Sequence, residues 1–244
     1  MKQYNVGVIG ATGMVGQRFI TLLENHPWFH LAAVAASARS AGKTYEDAIG
    51  DRWLMKTPMP ECAKKLVVLD AANVEEVASK VDFVFCAVNM KKEEIKALEE
   101  AYAKAECPVV SNNSAHRFTP DVPMVVPEIN ADDIKWHHGL IANPNCATII
   151  GLVPTWPLHQ LAGVKRMIVS TYQAASGAGA PGMAELEAQL AAVINVQDAM
   201  NRSLLTGGTN PDQIPQYLAD QKAAGLDDVL ADIERQYNEW KANK

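Results

Sequence analysis

A strand-like run, Tyr4 to Ile9, passes directly into Gly10-Ala11-Thr12-Gly13-Met14-Val15-Gly16, and a helical pattern follows through Val15, Phe19, Leu22 and Leu23 to His26-Pro27. Few folds place glycines this way between a buried strand and an apolar helix. Glycine lets the turn tighten, lets a pyrophosphate approach the backbone, and lets the helix pack closely on the strand before it. The helix start then offers unpaired N–H groups and the positive end of a dipole. This context predicts the first βα unit of a dinucleotide-binding sheet. The spacing is G-x-x-G-x-x-G, not G-x-G-x-x-G, so the motif alone leaves a plain tight turn open.

More buried strands follow: Leu31 to Ala36, Leu66 to Leu69, Asp82 to Val88, Pro108 to Ser111 and Leu140 to Ala142. Between them, Lys91 to Ala105 reads as a helix whose Lys92, Glu93, Glu94, Lys96, Glu99 and Glu100 form a solvated face. Repeated strand–helix units to about residue 130 predict a Rossmann-type, doubly wound, mostly parallel sheet in α/β class, with a first domain over 1–145. A strand over Val164 to Gln173 is expected to begin a second, incomplete α+β domain (146–182), with a helical tail over 183–244.

Charge and composition narrow the function. With 28 acidic and 22 basic residues, a formal charge of −6 and 48% hydrophobic residues, nothing favours nucleic acid or an anionic membrane as partner. The cysteines, Cys62, Cys86, Cys107 and Cys146, lie far apart without a C-x-x-C pair, so no metal site or disulfide framework is expected. No leader and no membrane-spanning run is visible, which makes a cytoplasmic protein the expectation.

The second strand ends in Ser37-Ala38-Arg39-Ser40-Ala41-Gly42-Lys43, with no acid before Glu46 to grip a ribose 2′-hydroxyl. Arg39, Lys43 and the serines suit a 2′-phosphate, so NADP is favoured over NAD; a solvated basic loop is the alternative. Past the strand ending at Ser111 comes Asn112-Asn113-Ser114-Ala115-His116-Arg117. Polar residues there face the ligand crevice of an open α/β sheet. Arg117 is either a bidentate anchor for phosphate or carboxylate or a surface ion-pair residue, and His116 is the weaker candidate.

In Ala142-Asn143-Pro144-Asn145-Cys146-Ala147-Thr148, Pro144 keeps Asn143 out of the helical region and Asn145 is a good N-cap, so a helix should begin at Cys146. A thiol in a first helical turn is favoured as thiolate, the reactive form. A small buried residue at a strand–helix junction is the bland alternative.

Together with Ser170-Thr171-Tyr172-Gln173-Ala174-Ala175-Ser176-Gly177-Ala178-Gly179, these motifs closely resemble aspartate-semialdehyde dehydrogenase in order and spacing, from about residue 4 to about 188. The resemblance implies that Gly10 and Thr12, Gly13, Met14 and Val15 meet the NADP pyrophosphate, and that Arg39 and Ser40 meet the 2′-phosphate. It implies Cys146 as nucleophile, Arg117 as the phosphate anchor, Gln173 as a substrate contact, and Ser176 and Gly177 as further cofactor contacts. The implied reaction is the reversible, NADP-dependent, phosphorylating oxidation of L-aspartate 4-semialdehyde, in biosynthesis of the aspartate-family amino acids, by a homodimer. An N-acetyl-glutamyl-phosphate reductase-like enzyme is an alternative function, although the corresponding motif of that family has glycine where this chain has Asn145.

After Leu186 the family pattern stops. The family's later arginine and general-base histidine have no counterpart by motif: His159 is the last histidine, and Arg202 and Arg235 sit in the wrong context. Met183, Leu186, Leu190, Val193, Met200 and Leu204 instead recur at helical steps, Gly207 to Pro211 breaks the pattern, and helical stretches follow to Gly225 and from Leu226 to Trp240. The Gln216 to Trp240 piece resembles the C-terminal end of extracellular solute-binding lipoproteins. A fused or truncated gene product is the expectation, with a catalytically impaired NADP-binding remnant as the alternative function.

Overall fold

The computed structural model describes residues 2–189, 191, 212 and 214–227, in two compact units that divide between Thr171 and Tyr172. The first unit is built on a six-stranded sheet: β1 (Tyr4–Ile9), β2 (Phe29–Ala36), β3 (Val68–Asp70), β4 (Phe83–Cys86), β5 (Val109–Ser111) and β6 (Leu140–Ala142). The order is β3-β2-β1-β4-β5-β6 and every pairing is parallel. The chain winds outward from β1 to β3, then crosses back to continue from β4 on the other side. Between β1 and β4 lies the switch point, and the crevice past their carboxyl ends is where such sheets bind ligands.

Helices cover both faces: α1 (Met14–Leu23), α2 (Tyr45–Ile49), α3 (Glu61–Lys64), α4 (Val74–Ala78) and α5 (Lys92–Lys104). Strand residues alternate between the faces with period two. Val6, Val8, Ile20, Val34, Tyr45 and Ile49 fill one side, with Phe19 stacked on Phe85 at 4.8 Å. Ile9, Ala35, Val84, Cys86, Tyr102 and Val109 fill the other. A short α6 (Pro127–Asn130) precedes β6, and α7 (Cys146–Ala162) follows it.

The six strands expected up to residue 142 are all present, β1 and β6 with the expected ends and the other four with shifted ones. β2 starts two residues earlier, because Phe29 packs edge-on to Phe83 and Tyr4. β3 starts later and ends on Asp70. On α1 the buried face is Gly16, Gln17, Ile20 and Leu23, whereas Val15 and Leu22 are exposed. Gln17 replaces an apolar side chain there because its amide is fully occupied, as described below. Glu99, expected on the solvated face of α5, is fully buried.

One expectation fails outright. No strand forms over Val164 to Gln173. An extended segment becomes a strand only by pairing, and the outer edge of β6 is already taken by residues 123–125: Ala142 N–H donates to Pro123 O and Val125 N–H donates to Ala142 O, each at 2.9 Å. Ile168 and Val169 stay exposed. Helix α7, rich in apolar residues, likewise has no buried residue, and Ile150 and Leu161 face solvent. In the second unit, residues 179–189 and Ile214–Ala223 are helical. The break at Gly207 to Pro211 and nearly all of the last helical stretch lie outside the described residues. Among the described residues no helix is long and apolar enough to cross a membrane.

Candidate active site and cofactor cradle

The glycine turn is shaped by two positions that admit no side chain. Gly10 has φ +82°, and a Cβ there would sit 2.4 Å from the carbonyl oxygen of Ala87. A Cβ at Gly16 would lie 2.2 Å from Gly10 O, so α1 crosses the end of β1 in backbone contact. Gly13 is the N-cap of α1, the first turn holds no acid, and no side chain caps it. The N–H groups at Met14 and Val15 therefore lack a side-chain acceptor at the helix's positive end.

Buried side chains hold this turn from behind. Tyr45 donates its hydroxyl to Ala11 O at 2.7 Å, and burial pushes the Tyr45 phenol well up, so it stays a donor. The Gln17 amide donates to Thr12 O (3.2 Å) and Arg52 O (2.9 Å) and accepts from Leu54 N–H (2.8 Å). An open anion-binding turn braced on its inner side fits a dinucleotide pyrophosphate.

Beside it, the turn after β2 carries Arg39, exposed, and Ser40, half-buried, whose N–H donates to Ser37 O at 2.9 Å. Lys43 is exposed, and its carbonyl accepts from Val68 N–H at 2.8 Å. Among the described residues neither Arg39 nor Lys43 makes an ion pair, so both cations are available to a 2′-phosphate. An acid does stand beside the end of β2: Asp70, registered against Ala36. Reading along the chain misses it, since it belongs to β3. One of its oxygens accepts from Ala72 N–H at 3.0 Å.

Farther across the sheet, the ends of β5 and β6 are knitted together. Asn143 donates its backbone N–H to Ser111 O (3.0 Å) and its amide to Asn112 Oδ1 (2.9 Å). Arg117 donates Nε–H to Asn143 O (3.0 Å) and Nη2–H to Asn112 O (3.2 Å). It is therefore no surface ion-pair residue: two of its five N–H groups grip strand-end carbonyls and the rest are left for an anion. Asn145 caps α7 by accepting from Ala147 N–H at 3.0 Å, which puts Cys146 at the first helical position with its side chain exposed. From β1 to β6 is three strand spacings, about 14 Å, a span an extended dinucleotide crosses.

The other cysteines suit no such role. Burial, with Glu99 nearby, pushes the Cys86 thiol well up, and burial raises Cys107 to about 11. Cys62 is also raised, by burial and by Glu24, and it lines a cavity of about 320 Å³ with Gln3, His26 and His30 at the opposite end of the sheet.

Gln173, Ser176 and Gly177 fall in the second unit, so their placement relative to the crevice is not part of the first unit's geometry. Within their own unit they belong to one turn. A Cβ on Gly177 would meet the Gln173 amide at 2.0 Å, and Gly177 N–H donates to Ala174 O at 2.9 Å. All three are exposed.

Comparison with known proteins matches residues 5–137 to the semialdehyde dehydrogenase NAD-binding domain, and residues 183–242 to a domain of unknown function, DUF3502. The aspartate-semialdehyde dehydrogenase of Archaeoglobus fulgidus is 38% identical over 196 residues, covering 75% of this chain and 54% of the relative. The Candida albicans aspartate semialdehyde dehydrogenase solved with NADP superposes with a TM-score of 0.60 at 34% identity, over 67% of this chain and 48% of that one. Aspartate semialdehyde dehydrogenase II of Vibrio cholerae, complexed with ASA, gives 0.64 at 33% identity, over 80% and 54%. The chain thus spans about half the length of the curated relatives it matches.

Proposed function

Since this chain belongs to the aspartate-semialdehyde dehydrogenase family, we propose that it binds NADP in the cradle at Gly10 to Val15 and uses Cys146 for the phosphorylating oxidation of L-aspartate 4-semialdehyde. The observation that carries this reading is an exposed cysteine at the head of a capped helix, three residues past the carbonyl that Arg117 holds. Thr12, Gly13, Met14 and Val15 hold the pyrophosphate, and Arg39 with Ser40 takes the 2′-phosphate. Gln173 contacts the substrate, and Ser176 with Gly177 the cofactor.

The Cys146 sulfur, as thiolate, adds to the aldehyde carbon and forms a C–S bond. Bound NADP⁺ supplies the acceptor for the hydride that leaves this carbon. Cys146 then carries the acyl group as a thioester. Arg117 holds inorganic phosphate with the N–H groups its structural bonds leave over. An oxygen of that phosphate attacks the thioester carbonyl, the C–S bond breaks, and sulfur departs as thiolate with 4-aspartyl phosphate as product.

A second reading, an NADP-binding chain with little turnover of its own, is favoured by one observation. The only histidine after Cys146 is His159, stacked on Trp156 at 5.5 Å and some 20 Å further along α7 by helical rise. Lacking a positioned general base costs roughly 10²–10⁴-fold in rate.

Titration calorimetry with NADPH and NADH, followed by NADPH formation from aspartate semialdehyde and phosphate, separates the two. Turnover above a Cys146→Ala control supports the enzyme. Tight NADPH binding without turnover supports the second reading, and no NADPH binding overturns both.

A further inference from the structure

Glu99 presents a cost that the fold has to offset. It lies on α5 with no exposed surface, at a position where a leucine would pack at no electrostatic cost. Its carboxylate points to the end of β5. Oε1 accepts from Ser111 Oγ–H at 2.6 Å and from Asn113 Nδ2–H at 2.8 Å. Oε2 has no hydrogen-bond partner and faces His116 Nε2 at 3.9 Å, itself buried and without one. The other ring nitrogen of His116 meets Thr119 Oγ1 at 3.2 Å. If Thr119 donates there, Nε2 carries the proton and points it at the carboxylate.

We propose that Glu99 is a positioning residue: its buried carboxylate gathers Ser111, Asn113 and His116 and so fixes the loop 111–117 that aims Arg117 into the crevice. The connections run in one direction. Ser111, Asn113 and His116 lead up to Arg117 in sequence, Arg117 grips Asn112 O and Asn143 O, and Asn143 leads through Pro144 to the cap of the helix that begins at Cys146. A buried acid here stiffens the support of both the anion anchor and the nucleophile. An apolar residue would fill the same space, leave the Ser111 hydroxyl without this acceptor, leave the Asn113 amide with Cys86 Sγ alone, and remove the charge that faces His116. The functional meaning of this device rests on the reading of Arg117 as a phosphate anchor.

Phenylglyoxal modification of the full chain, quantified per arginine by peptide mass spectrometry, tests it, with Arg18 and Arg39 as internal references. Glu99→Leu is expected to speed modification of Arg117 by about tenfold, the effect of losing charged hydrogen bonds, with the references unchanged. Glu99→Gln keeps the Oε1 acceptor and is expected to restore most of the protection. Ser111→Ala serves if Glu99→Leu does not unfold cooperatively, with an expected increase of roughly threefold. Unchanged Arg117 reactivity in cooperatively folded variants, or a rise shared equally by Arg18 and Arg39, overturns the proposal. Adding inorganic phosphate separates the two ideas. Protection of Arg117 in the unmodified sequence, weakened in Glu99→Leu, supports both. Glu99-dependent reactivity without phosphate protection keeps the positioning role and rejects the phosphate anchor.

Discussion

Gly16 has no room for a methyl group, since its Cβ would overlap the Gly10 carbonyl at 2.2 Å and neither backbone can yield cheaply. Gly16→Ala is therefore expected to lower stability by about 2–3 kcal/mol in urea unfolding and to abolish NADPH binding. Unchanged binding would show that the turn is not the cradle. Arg39 makes no ion pair among the described residues, so its removal should leave folding untouched. Arg39→Ala is expected to weaken NADPH by roughly tenfold or more and NADH hardly at all, because only NADPH carries the 2′-phosphate. Equal loss for both cofactors would reject the NADP preference. At this scale the sequence was most legible where a residue's role is set by its immediate neighbours. Asn145 caps α7 as its spacing predicts. Glu99 was misread, because burial of a charge on an otherwise charged helix depends on partners from the end of β5 and the loop after it, which sequence distance hides.

Among the elements, α2 and α1 do more than pack. Tyr45 on α2 and Gln17 on α1 hold the glycine turn by its carbonyls. Tyr45→Phe leaves Ala11 O without its buried donor and is expected to cost about 1–2 kcal/mol in thermal or urea unfolding, with weaker NADPH binding. Equal stability would mean that the bond adds nothing. The order and number of strands to β6 could be read from apolar runs between turn residues, because a parallel sheet buried on both faces leaves little else for such runs to do. Strand ends could not, since Phe29 joins β2 through aromatic contacts to Tyr4 and Phe83 that periodicity does not register. The segment 164–173 failed for a related reason. Its β-branched residues favour extension, but pairing comes from a neighbour, and sequence preference does not supply one.

For the whole molecule, the core and the crevice belong to the first unit, and α7 starts at Cys146 just past β6 and leaves its apolar residues uncovered. One buried layer also sets the pH response. Cys86, Cys107 and Tyr102 pack together behind the sheet, and burial raises all three. An unfolded thiol loses its proton near 9, whereas Cys107 keeps it to about 11. The unfolded chain thus holds fewer protons over that interval, and stability falls as pH rises. The unfolding free energy from urea titrations is expected to be flat just below pH 9 and to decline above it, by at most about 1.4 kcal/mol per pH unit for each thiol. A flat profile through pH 11 would contradict the buried, protonated state of these groups.

The account turns on the sulfur of Cys146 meeting an aldehyde beside a bound nicotinamide. The most direct test is prolonged incubation of the chain with NADP⁺ and L-aspartate 4-semialdehyde in the absence of phosphate, followed by intact-mass and peptide mapping with NADPH measured in parallel. The expected result is one acyl group on Cys146 for each NADPH formed. No adduct at Cys146 under saturating NADP⁺, or the same NADPH yield from Cys146→Ala, would contradict it.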